Sequence, residues 1–187
     1  MPSARTLVRA SAAVAALALV GTVSAQSPGD AALGLGTRIG LRLVVSLVVY
    51  LLLGGALVAL GPQYATELST EIREDPIAAF GWGLVMTILV PIVLVLLAFT
   101  IIGLVVTIPG ILLLIPIGIV GTAVTVVTLG AVLGGERGEV SGKAALVGAV
   151  VLGLLAAIPI LGNLITTVAT MFGTGMVGKS LYVSWRG

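Results

Sequence analysis

The sequence predicts an all-α integral membrane protein: a cleavable signal peptide, then about five transmembrane helices arranged as one helix and two helical hairpins. Three observations predict it. Hydrophobic residues make up 59% of the 187 and charged residues 9%, against roughly 45–50% and about 25% in soluble domains. Residues 43–66, 76–135 and 144–178 carry no charge, and about 20 apolar residues suffice to cross hydrocarbon. Prolines and glycines break these runs where a chain that must turn back would need them.

The same composition excludes much chemistry. Cysteine and histidine are absent, which removes disulfides, thiolate nucleophiles, imidazole bases and ordinary zinc or haem ligation. No catalytic, cofactor-binding or metal-binding residue is expected, and the chain reads as no enzyme. A net charge of +2 and a pI of 9.4 do not mark a nucleic-acid binder, because the basic residues stand singly between apolar runs.

Arg5 and Arg9, a short apolar run and then Val23-Ser24-Ala25 have the order of a secretory signal peptide over residues 1–25, cleaved after Ala25. The other reading is an uncleaved first span. Residues 26–38 form a short polar extracytoplasmic linker, too small to fold alone, and 39–187 form the transmembrane domain. Its first span, about 43–60, has Arg42 at its mouth, where a long side chain can snorkel to headgroups. Gly61-Pro62 ends it.

In "QYATELSTEIREDP", Tyr64, Leu68 and Ile72 recur every four residues while Glu67, Glu71, Arg73 and Glu74 take other faces. That is an interfacial amphipathic helix over 63–75. Its acidity suits packing against the protein's own loops better than binding anionic lipid. The charge-free run that follows holds two spans, about 80–102 and 117–134, with Pro91 kinking the first. The connection is expected at Pro109, Gly110 and Pro116, since proline cannot donate the bond that a continuous helix needs.

After the polar loop "GERGEVSGK", residues 144–178 would measure about 52 Å as one helix, well beyond a bilayer of about 30 Å. They are expected to turn at Pro159, Gly162 and Asn163, with Asn163 capping the next helix. This gives spans of about 144–159 and 163–180, the alternative being a re-entrant hairpin. With both long runs crossing twice, Arg73, Arg137, Lys143, Lys179 and Arg186 stay inside and only Arg38 and Arg42 lie outside, as the positive-inside rule requires. The mature N-terminus is then outside and the C-terminus cytoplasmic, in a multi-pass cell-membrane protein.

An internal echo aligns Gly110 with Gly153, Ile115-Pro116-Ile117 with Ile158-Pro159-Ile160, and Gly130 with Gly173. Read as a parallel repeat of hairpins, it places Pro116 and Pro159 at equivalent positions on one side of the membrane. Gly130 and Gly134, with Gly173, Thr174 and Gly178, form small-residue patterns that let helices approach closely. Thr122, Thr125 and Thr128 share one face; hydroxyls bonding their own helix carbonyls account for them better than a pore does. Ser180 and Ser184 have no histidine partner, and "LGGERGEVSGK" lacks the spacing of a phosphate loop.

Asp75-Pro76, Gly81, Pro91, Thr100-Ile101-Ile102-Gly103, Pro109, Pro159, Gly162, Gly173 and Gly175 together give an order of motifs that resembles a small polytopic membrane domain of unknown function. That domain occurs in archaea, notably haloarchaea, and in bacteria, sometimes attached to bactofilin-like polymer-forming domains. The likeness covers about residues 63–187. It implies an anchoring role, and with no such β-domain preceding the spans here, the cargo is expected to be a separate protein.

The expected function is therefore a non-enzymatic membrane scaffold or anchor. Its expected partners are the lipid bilayer, a second copy of the chain, or a separate membrane or cytoskeletal protein. The alternative is a small transporter or channel whose Pro/Gly-broken helices expose backbone groups to a solute.

Overall fold

A computed structural model describes residues 34–136, 138–158 and 160–186. The expected signal peptide and most of the linker lie outside the described residues. The regular elements described are all helical. They are α1 (Leu35–Leu60), α2 (Pro62–Glu74), α3 (Pro76–Ala98), α4 (Ile101–Leu133), α5 (Gly142–Ala157) and α6 (Leu161–Arg186). Three stretches are long and apolar enough to cross a membrane: Gly36–Leu60, Pro76–Ala98 and Gly103–Leu133. Helix α5 is apolar but shorter.

Local chemistry sets the boundaries. Asp75 caps α3 by accepting from the Ala78 amide at 2.9 Å, with Pro76 in the first turn. Thr100 caps α4, accepting from Gly103 N at 2.9 Å, and Ser141 caps α5, accepting from Lys143 N at 3.2 Å. Helix α4 stops at Gly135, whose φ of 68° suits glycine. There the Glu136 amide returns to the Ala131 carbonyl at 3.0 Å and the Gly135 amide to Val132, a Schellman closure. Within α3, Val85–Leu89 widens into a π-helical turn just before Pro91, which has no amide for a regular turn.

The expected turn at Pro109, Gly110 and Pro116 is corrected: all three lie inside α4, which runs unbroken for 33 residues. The connection is instead the short Phe99-Thr100 turn. Each proline removes one intrahelical bond, but in hydrocarbon a chain reversal would expose many more backbone groups with no water to satisfy them. The continuous helix is the lesser cost. The repeat fails for the same reason, since Ile115 and Ile117 are helical whereas Ile158 and Ile160 flank the α5–α6 connection. Pro159 itself lies outside the described residues.

Helices α3 and α4 form an antiparallel hairpin: Thr107 of α4 donates to the Leu94 carbonyl at 3.0 Å and to Gly103 O at 2.8 Å. Helix α4 also pairs antiparallel with α5, and α5 lies antiparallel to α1, with Gly54 facing Ala145 and Gly153 facing Leu47. At about 50 Å, α4 is the element that joins both halves. Its first half touches α3, and its second half touches α1, α2, α5 and α6.

The core sits where that second half meets the others, around Leu68, Val124, Val126, Val127, Leu152 and Met176. Outward faces carry Val44, Val48, Ile92, Leu96, Val105, Leu112 and Leu154, all exposed. So continuous an apolar surface would drive aggregation in water and suits hydrocarbon.

Candidate functional site

Small residues build the contacts between helices. Between α4 and α5, a Cβ at Gly130 would overlap the Ala144 carbonyl, and one at Gly148 the Val126 carbonyl. Between α3 and α6, a Cβ at Gly83 would overlap the Met171 carbonyl, and one at Gly175 the Ala79 carbonyl. Between α4 and α6, Gly173 lies against the Gly121 carbonyl and Thr174 against Gly121 itself. Backbone meets backbone at each seam, where dispersion and Cα–H···O contacts replace the hydrophobic drive that lipid removes.

Of the expected packing residues, Gly130, Gly173, Thr174 and Gly178 lie in seams, Gly178 against the Met86 side chain. Gly134 does not. It ends α4, and a Cβ there would meet only its own helix at Gly130. The seams also use Gly83, Gly121, Gly148 and Gly175, which the sequence reading missed. The signal was present, because Ala79 with Gly83, Gly121 with Thr125 and Ala144 with Gly148 are all small residues four apart.

Polar groups gather at one end of the bundle, where α2 is latched across α4, α5 and α6. Ala65, Leu68, Ser69 and Ile72 of α2 are buried. Arg73 donates through Nη1 to the Glu136 carbonyl at 2.7 Å and through Nη2 to Ser69 Oγ at 3.2 Å. Its Nε is buried without a partner. The Val140 amide donates to Thr66 Oγ1 at 3.1 Å, and Lys179 of α6 pairs with Glu71 at 2.6 Å. Ser141 donates to the Glu136 carboxylate through its hydroxyl at 2.5 Å and its amide at 3.2 Å. These bonds, led by the hydroxyl and helped by the Lys143 and Arg73 charges, hold the Glu136 carboxyl below its ordinary value. Burial, with Glu67 nearby, pushes the Tyr64 phenol up, while the Ser180 hydroxyl pulls the other way.

At the opposite end, Gly162 and Asn163 lie in the first turn of α6, so Asn163 is not its cap. Its side chain instead accepts from Arg42 of α1 at 3.5 Å. Thr122 and Thr125 donate to Gly118 O and Gly121 O at 2.8 and 2.9 Å, and Thr125 also reaches Ala169 O at 3.3 Å. The Thr128 hydroxyl is buried with no partner. No cluster of acidic residues among the described residues could hold a metal ion.

A family described as a domain of unknown function, DUF8173, matches residues 1–186, and the chain belongs to it. An uncharacterised domain was expected over about residues 63–187; the match is to such a domain and covers nearly the full sequence. No curated protein and no solved structure matches the chain.

Proposed function

We propose that this DUF8173 member is a non-enzymatic, multi-pass membrane scaffold that works through helix packing with a second copy or a separate protein. In this reading α1, α3, α4, α5 and α6 all cross, with the α2 end cytoplasmic. Arg73, Lys143, Lys179 and Arg186 then lie inside and Arg38 and Arg42 outside, in keeping with the positive-inside bias.

The observation that carries the reading is the backbone-on-backbone packing at Gly130, Gly148, Gly173 and Gly175. Glycine at so many seams builds a rigid bundle, and the bonded threonines leave few hydroxyls for a solute. The Pro109–Pro116 break on which transport would lean is continuous helix.

The test is extraction from native membranes in mild detergent followed by size measurement and identification of co-purifying chains. A homo-oligomer or a stoichiometric partner is expected. A monodisperse monomer with no partner, or solute flux through the purified protein in liposomes, would overturn the proposal.

A further inference from the structure

We infer that Arg42 seats the phosphate of an anionic phospholipid at the mouth of a gap between α1 and α6. This rests on the chain being embedded in a bilayer and is independent of scaffolding. Helices α1 and α6 both pack on α4 and α5 yet scarcely touch each other. At the end opposite α2, the Arg42–Asn163 contact bridges them. Below it, Tyr50 of α1 and Ala169 of α6 both pack against the buried cluster of Val126, Ala149 and Leu152.

Depth places this mouth among headgroups. Along α6, the rise from Asn163 to Tyr182 is about 28 Å, close to one hydrocarbon thickness of about 30 Å. Tyr182 stacks with Trp82 at 5.3 Å, and Arg186 lies over its ring at 5.0 Å. Amphipathic rings and a cation of this kind mark a membrane–water boundary. One boundary at Tyr182 sets the other at Asn163 and Arg42.

Charge selects the occupant. Arg42 is exposed, and among the described residues its bond is a long contact to a neutral amide. Among the described residues the carboxylates are Glu67, Glu71, Glu74, Asp75, Glu136 and Glu139, all in or beside α2 or in the α4–α5 loop, at the far end. A guanidinium has five donors in a fork that fits phosphate oxygens. Ile39, one turn before Arg42, and Leu164, next to Asn163, are 41% and 66% exposed, apolar surface along which acyl chains would descend.

The test is native mass spectrometry of the full-length chain in detergent, titrated with phosphatidylglycerol or phosphatidylcholine. One phosphatidylglycerol should be retained under activation that strips phosphatidylcholine. Arg42→Gln should weaken that retention about fivefold, the worth of one interfacial cation. Arg42→Lys, which keeps the charge but loses the fork, should weaken it less than Arg42→Gln yet measurably, and that partial loss is the readout if the first variant does not fold; Arg186→Gln should leave it unchanged. Equal retention of both lipids would overturn the assignment, as would a preference that survives Arg42→Gln. Displacement by millimolar glycerol phosphate would also overturn it, because it would reveal a site for a soluble anion. Each of these failures leaves the co-purification result above standing, so the two readings are tested separately.

Discussion

Gly130 faces Ala144 and Gly148 so closely that any side chain there must part α4 from α5. Gly130→Leu should therefore cost about 1–3 kcal/mol or more, the range for overpacking, and should lower the unfolding midpoint in detergent. Gly118→Ala, on the same helix with open space where its Cβ would lie, should change little. Equal effects at the two positions would show that the seam is not where the glycines matter. The polar latch makes a second prediction at this scale. Glu136 has a lowered folded-state value, so its contribution is present above its unfolded value and is lost as pH falls through the folded one. Tyr64 has the opposite sign, being raised, and its contribution fades as pH rises past its ordinary value of 10.0. The midpoint should hold near neutrality and fall below about pH 4.5, the ordinary value for Glu136. Glu136→Gln should flatten that acid limb in a pH series of melts, and an unchanged limb would contradict the role given to the Ser141 bonds.

At the scale of elements, α2 shows what periodicity can deliver. Its alternation of Tyr64, Leu68 and Ile72 with charges placed a helix at 63–75, and the structure has Pro62–Glu74. Helix α4 shows what periodicity and breakers cannot deliver. Proline is read as a stop because in water a broken helix recovers its bonds from solvent, and hydrocarbon offers no such recovery. Thr100 held the better signal: its hydroxyl both accepts from Gly103 N and donates to Leu97 O at 2.9 Å. Thr100 thus marks the turn that Pro109 and Pro116 do not. Pro116→Ala restores one intrahelical donor, so the unfolding free energy should hold or rise by about 1 kcal/mol. A proline that fixed a hairpin turn would lose stability on the same change.

Over the whole molecule, an all-helical bundle with membrane-length apolar helices was legible from charge-free runs alone. The close-packing face of α6 was legible from Gly173, Thr174 and Gly178. What composition could not give was the pairing of helices, since glycines four apart recur through much of a chain that has 26 of them. Nor could it place Arg42 beside Asn163, a contact between residues far apart in sequence that exists only once α1, α5 and α6 are assembled. In the proposed topology the bundle crosses the bilayer with Thr100 and Asn163 at one face and the α2 latch at the other. A chain with no cysteine allows that topology to be read directly, by labelling single-cysteine variants in sealed vesicles with a membrane-impermeant maleimide. Thr100→Cys and Asn163→Cys should react from one side, Gly138→Cys and Trp185→Cys from the other, and Pro116→Cys from neither. Labelling of Thr100→Cys and Gly138→Cys from the same side, or ready labelling of Pro116→Cys, would contradict it.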